Sequence, residues 1–296
     1  MKGGVCVALD LGGVRVSLLS GGALRLDGGA MFGIIPKALW SRRTPHDEQN
    51  RIQLACNCLL VEWSGGECAI VETGHGAKYA PREREMFAID AEHWLLPSLG
   101  TAGVDPLAIN TVVVTHLHFD HAGGLTRQAD DGGLLPTFPG AKVHVQRQEF
   151  EDARANFGIM TMTYREENYT PLDAAGAWAL LDGEAEVAPG LHVIPSRGHT
   201  RGHQSVLIRG SDGCVLFPGD VLPTLGHSGA PYNMGYDLLP LDNRETKSRL
   251  LGRAADEGWL IVIDHEPRTP VVRAARDGQW YALTPAADTD LAPPAH

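Results

Sequence analysis

The chain has 296 residues, 43% of them hydrophobic, and a formal charge of −11. That length suffices for one large domain or two fused halves, and no apolar run approaches the roughly 20 residues of a membrane-spanning helix, so no membrane partner is expected. A net-negative surface repels a polyanion, which argues against a nucleic-acid partner and favours a small neutral substrate.

The N-terminus, MKGGVCVALDLGG, breaks with glycines where an export signal needs a continuous apolar core, which predicts a cytoplasmic protein. Cys6, Cys56, Cys58, Cys68 and Cys214 are odd in number and lie mostly in apolar surroundings, the pattern of buried free thiols. Gly-Gly pairs at 3–4, 12–13, 21–22 and 28–29 separate short runs and predict a meander of short antiparallel strands with glycine turns. Met31 to Asn50 mixes apolar residues, prolines and charges, and reads as an irregular arm over a neighbour or a pocket, with His46 a surface residue. CNCLLV (56–61) and CAIV (68–71) predict a pair of core strands followed by a tight turn at Glu72-Thr73-Gly74. Arg82 to Leu96 has the spacing of an amphipathic helix, and His75 and His93 near these turns are taken as structural.

Residues 111–121, TVVVTHLHFDH, carry the strongest signal. The first half is β-branched and apolar, as in a strand buried on both faces. Beyond it, side chains two apart project to the same side, so His116 and His118 can converge on one ion while Asp120 and His121 turn to a second. Neutral imidazole and carboxylate suit Zn²⁺, with Mn²⁺ or Fe²⁺ as alternative occupants. Ala122-Gly123-Gly124 allows a sharp turn into a helix.

Further on, 141–145 predicts a strand containing His144, and 147–155 a helix. Residues 156–190, with Met160, Met162, Tyr164, Tyr169 and Trp178 and little periodicity, read either as a lid or pocket wall or as an oligomer contact. Three further strands end at candidate ligands: LHVIP before His199, CVLF before Asp220, and WLIVI before Asp264-His265-Glu266. Ligands presented at several strand ends are how an α/β sheet builds a site. Residues 1–280 are expected to form a single domain, and the Ala/Pro/Asp-rich residues 281–296 a disordered tail.

His116-x-His118-x-Asp120-His121, Gly198-His199-Thr200, Gly219-Asp220 and His265 together resemble the metallo-β-lactamase superfamily, in order along nearly the whole chain. Gly28-Gly29-Ala30-Met31-Phe32-Gly33 with Pro36, Lys37 and Trp40, and Gly198-His199-Thr200-x-Gly202-His203, resemble its N-acyl-homoserine-lactonase-like, quorum-quenching branch. The resemblance implies an α/β fold, a four-layer αβ/βα sandwich with two divalent metal ions at one edge. His116, His118 and His199 would hold the first ion, Asp120, His121 and His265 the second, and Asp220 would bridge them. It further implies a hydrolase that opens a lactone or ester ring with metal-activated water, with Asp120 carrying the proton to the leaving oxygen. A homodimer through the arm is implied in the same way. Aspartate at 220, where secreted β-lactamases have cysteine, argues against drug hydrolysis, and no Gly-x-Ser-x-Gly elbow suggests a serine nucleophile.

Two positions depart from the family pattern. Glu72 stands where Asp is usual, and Val221-Leu222-Pro223 where many lactonases of the branch have a carbonyl-polarising tyrosine. His227 is the nearest candidate for that catalytic role, with Tyr232 and Tyr236 as others, and a plain loop histidine as the other reading of His227. A phosphotriesterase, an arylesterase or a glyoxalase II-type thioesterase would need the same metal site, and a non-catalytic ligand-binding regulator is the alternative from another class.

Overall fold

The computed structural model describes residues 7–158, 162–287 and 290. In the N-terminal half, β1 (Ala8–Asp10), β2 (Val14–Asp27), β3 (Arg51–Trp63), β4 (Cys68–Val71) and β5 (Thr111–Val113) lead to a two-stranded side ribbon, β6 (Thr126–Gln128) and β7 (Leu134–Pro136), and then to β8 (Lys142–Gln146) and β9 (Trp178–Leu181). Without the ribbon these form one seven-stranded sheet in the order β1-β2-β3-β4-β5-β8-β9. The C-terminal half supplies β10 (Ala185–Ala188), β11 (Leu191–Pro195), β12 (Gln204–Arg209), β13 (Cys214–Phe217), β14 (Leu260–Val262), β15 (Val271–Asp277) and β16 (Trp280–Pro285), a second sheet in sequential order.

Alternating side chains explain why the sheets face each other. Val113 and Val71 point inward and pack with Val206, Ile208, Val215 and Phe217 of the second sheet. Their neighbours Val112 and Ile70 point outward and pack with Leu95, Leu99 and Ala153. Those outer residues belong to the helices covering the first sheet. In chain order the helices are α1 (Gly28–Phe32), α2 (Lys37–Trp40), α3 (Pro81–Phe87), α4 (Leu95–Thr101), α5 (Phe119–Ala122), α6 (Arg147–Arg154), α7 (Thr170–Ala174) and α8 (Pro240–Glu257). On the far side, Leu250, Leu251 and Ala254 of α8 cover Leu207, Leu216 and Ile261. The layers are therefore helix, sheet, sheet, helix, the expected sandwich.

Several local expectations change. Gly12-Gly13 does turn β1 into β2, with φ of 76° and 79°. Gly21-Gly22 does not turn: β2 continues against β3 on both sides of it, with a register shift between Ser20 and Ala23, so this pair forms a bulge. Gly28-Gly29 opens α1 instead of a turn, capped by the Asp27 carboxylate accepting from the Ala30 N–H at 2.8 Å. The helix expected over 82–96 stops at Phe87, where Ala88 adopts a left-handed φ of 51° and closes α3, and α4 begins only at Leu95. The turn at 122–124 follows a helical turn, α5, that has already begun at Phe119. Residues 280–285, partly inside the expected tail, are β16, paired with β15. Residues 288–289 and 291–296 of that tail, and Cys6, Met160 and the pair Gly3-Gly4, lie outside the described residues. Cys56, Cys58, Cys68 and Cys214 are free thiols, and burial pushes the Cys56 thiol up to about 11. Among the described residues no helix is long and apolar enough to cross a membrane.

Candidate metal centre

The candidate ligands follow strands of both sheets, not of one. β5 of the first sheet runs into the loop and turn 115–121. In the second sheet, β11 and β13 are each antiparallel to β12, and β13 is parallel to β14. Hence β11, β13 and β14 all point the same way, and their C-terminal ends bring His199, Asp220 and His265 to one rim. Backbone bonds join the halves there: the Gln204 N–H donates to Thr115 O at 2.9 Å, and the Asn57 N–H to Asp264 O at 3.0 Å.

Two sets result. Ligand-type atoms of His116, His118 and His199 lie within 4.8 Å of one another, as do those of His121, Asp220, Asp264 and His265. Asp220 stands between them. Its Oδ2 is 3.2 Å from His199 Nε2 and 3.9 Å from His116 Nε2, and its Oδ1 is 3.1 Å from His265 Nε2. Asp120 joins the second set, 3.7 Å from His265 Nε2 and 3.8 Å from His121 Nε2. The sharp turn at Gly219, φ 57°, aims Asp220 inward; a Cβ at Gly219 would sit 2.7 Å from His203 Nε2.

Four of the five imidazoles have a polar group behind them; His118 has none, its Nδ1 facing His199 Nε2 at 3.0 Å and its Nε2 unpartnered. His116 Nδ1 lies 3.0 Å from Thr115 Oγ1, His199 Nδ1 2.9 Å from Asp237 Oδ1, and His265 Nδ1 2.7 Å from Ala55 O. His121 Nδ1 lies 3.1 Å from Asp264 Oδ2 and 3.5 Å from Glu72 Oε2. Asp264 therefore backs His121 and does not enlarge the front of the second set. Glu72, at a left-handed φ of 67°, accepts the Thr115 N–H at 2.7 Å and still reaches His121 in spite of its extra methylene. Such outer partners fix the tautomer and aim of a ligand.

The electrostatics favour a cation. Burial, and then the neighbouring imidazoles, push His116 and His118 well below the usual histidine range, so both are neutral. Burial opposes charge on His121 and His265 as well, but the surrounding carboxylates, Asp220 among them, raise both well above that range. Burial would raise Asp220, yet His265, His199 and His121 hold its carboxyl well below the carboxylate range. His116 Nε2, His121 Nε2 and Asp220 Oδ1 are buried with no hydrogen-bond partner. Leaving such atoms unpaired costs about 1–3 kcal/mol each. Buried nitrogen and oxygen atoms gathered in two adjacent sets, with His116 Nε2 and His121 Nε2 unpartnered and His118 Nδ1 brought to 3.0 Å from His199 Nε2, fit a pair of divalent ions, and the mixed donor set suits Zn²⁺.

His227 lies apart. Its ring is fully buried, with Nδ1 2.8 Å from Thr224 Oγ1 and Nε2 2.8 Å from Met31 O. With both nitrogens engaged it has none for a substrate carbonyl, so the expected catalytic role is corrected to a packing one: the ring stacks on Phe32 at 4.6 Å, and Phe32 on Trp40 at 5.1 Å. Burial pushes its pKa down to about 4. Lys247 anchors the same loop by donating to His227 O and Tyr232 O. The arm thus folds onto its own chain, where Met31, Phe32, Trp40, Phe119 and Met234 form one apolar cluster with Tyr232 and Tyr236 at its edge. His46, His75, His93 and His144 join neither set. Sequence reasoning missed Asp237, Asp264 and Glu149 as supports. Asp264 had adjacency to His265 as a signal, whereas Asp237 and Glu149 had none.

The metallo-beta-lactamase superfamily model matches residues 51–265. A curated N-acyl homoserine lactonase of Bacillus cereus is 29% identical over 170 residues, which is 54% of this chain and 60% of that protein, so the match spans less than two thirds of the relative. A probable metal-dependent hydrolase from Staphylococcus aureus superposes with a TM-score of 0.85 at 28% identity, over 94% of this chain and 99% of that one. A dizinc quorum-quenching lactonase solved with N-hexanoyl-L-homoserine superposes with a TM-score of 0.77 at 16% identity, over 96% and 99%, a likeness of fold.

Proposed function

Because the chain belongs to the metallo-beta-lactamase superfamily, we propose that it is a metal-dependent hydrolase that opens a small lactone of the N-acyl homoserine class. The observation that carries this reading is the convergence of buried imidazole and carboxylate atoms in two adjacent sets, His116 Nε2 and His121 Nε2 among them without a hydrogen-bond partner. The similarity to curated lactonases supports the substrate class. His116, His118 and His199 would hold one ion, Asp120, His121 and His265 the other, with Asp220 shared. Two such ions supply Lewis-acid polarisation of a carbonyl and a nucleophilic water at neutral pH.

The protein's own groups supply the rest. Asp120 and Asp220 are buried but keep slight exposure, at 7% and 5%. Asp120 takes up the proton released as the carbonyl is attacked and passes it to the ring oxygen that leaves. In a lactone that oxygen stays tethered, and the product is a hydroxy acid. The cluster of Met31, Phe32, Trp40, Phe119 and Met234 beside the ligand turn is itself buried, so any room for an acyl chain lies at its edge, where Tyr232 and Tyr236 are only half-buried. Tyr236, half-buried at the edge of that cluster, takes over the carbonyl-binding candidacy from His227. The exposed Ile34 and Leu39 of the arm support a homodimer across it, and sedimentation showing a monomer at micromolar concentration would remove that part.

The purified protein should contain close to two divalent ions and should hydrolyse N-acyl homoserine lactones faster than aryl esters, phosphotriesters or glutathione thioesters. Preference for one of the latter would keep the metal hydrolase and replace the substrate. Full activity in metal-free protein would end the proposal.

A further inference from the structure

Glu149 of α6 is fully buried, and no reaction step above uses it. Its carboxylate gathers three donors from three separate segments. Oε1 accepts the Leu117 N–H at 3.0 Å and the Tyr164 O–H at 3.0 Å, and Oε2 accepts the Thr200 O–H at 2.6 Å. Leu117 sits between His116 and His118, and Thr200 directly follows His199. Tyr164 shares a backbone bridge with His118, and their rings lie 4.9 Å apart. Contact between α6 and the 198–203 loop is close enough that a Cβ on Gly202 would fall 2.6 Å from Glu149 Cα.

We infer that Glu149 is a positioning residue that sets the spacing of the three-histidine set by tying the 116–118 loop, the 199–200 loop and Tyr164 to one carboxylate. It touches no ligand atom. The physical reason is that the two loops come from different sheets, and a loop position is softer than a strand position. A buried carboxylate can accept from both loops at once, and charge-assisted bonds to it are about twice as strong as neutral ones. A buried glutamate that merely stabilised the fold would bring its donors from anywhere. Here two of the three are bonded next to ligands of the same set and the third leans on a ligand ring, while none is bonded next to Asp220 or His265.

The inference rests on the reading that His116, His118 and His199 hold an ion, and the test separates the two. The full chain is stripped with a chelator and reloaded with Co²⁺ or Zn²⁺. Stoichiometry, affinity by chelator competition and the cobalt absorption bands are then read beside the melting temperature. Glu149→Gln keeps the shape but turns one acceptor into a donor. At one of the two sites it should weaken affinity about 10- to 100-fold and shift that site's cobalt band, leaving the other site intact. Tyr164→Phe should weaken the same site by a smaller factor with the fold unchanged, and it decides the matter if Glu149→Gln does not fold. A folded Glu149→Gln protein with both sites and both cobalt bands as in the parent, or a Tyr164→Phe protein with unchanged affinity beside an unfolded Glu149→Gln, overturns the clamp. A parent protein that takes up no ion would end the metal reading itself, and the inference with it.

Discussion

The two ligand sets lie side by side but are built on different principles. The first, His116, His118 and His199, is imidazole only, with 116 and 118 held neutral by burial and by their neighbours. Its supports are a hydroxyl on Thr115, the carboxylate of Asp237 and, through the backbone, Glu149. The second, around His121 and His265, is surrounded by Asp120, Asp220, Asp264 and Glu72. Without a cation those carboxylates are balanced by protons on the two histidines, whose pKa values they raise. Charge therefore weighs more on the second set, with two raised histidines, than on the first, where against burial Asp220 and Asp237 raise His199 alone.

Removing the residue common to both should abolish the distinction. Asp220→Ala is expected to drop metal content below one ion per chain and hydrolysis by roughly a hundredfold or more; elemental analysis with the lactone assay reads both. Cutting each support separately should restore the contrast. Asp237→Asn should weaken the first site by about 10- to 100-fold, and Asp264→Asn the second by a similar factor. Chelator competition would break the comparison if either variant weakened both sites equally.

The charge argument has a signed consequence for pH. Below their raised pKa values His121 and His265 carry protons that an ion must displace. The first set has one raised histidine, His199, against two here, so affinity at the second site should fall more steeply on acidification, with more protons released per ion bound. Calorimetry in two buffers of different ionisation enthalpy counts them.

The smallest effect concerns His227. Its folded pKa, about 4, lies below the ordinary 6.5, so the unfolded chain takes up a proton that the folded chain refuses. Its contribution is present above pH 6.5 and is lost as pH falls towards 4, by at most about 3 kcal/mol. Urea unfolding of metal-free His227→Gln should show a flatter decline than the parent over that window.

Much of the site was legible because chemistry and spacing coincide in the chain. Three histidines and an aspartate within residues 116–121 cannot avoid one another after a strand as short as β5, and Asp220 and His265 each follow a strand end. The supports were harder to read. Asp237 and Glu149 look like any acidic residue in a polar stretch, and only folding brings them behind His199 and beside Leu117. His227, open in sequence between a catalytic and a plain loop role, could be placed only by folding, where Thr224 and Met31 take both its nitrogens.

The sequence by itself determined that strands such as β5 are apolar on both faces and must be covered on both sides, and it determined the ligand types; the four layers came from the family resemblance. Tertiary structure alone decided that the ligands come from two sheets and not one, that Gly21-Gly22 is a bulge, and that the arm closes over its own chain. Local pattern records which side chains want burial or a cation. Which distant segment answers each demand depends on contacts between residues as far as 210 positions apart, and no local spacing encodes those.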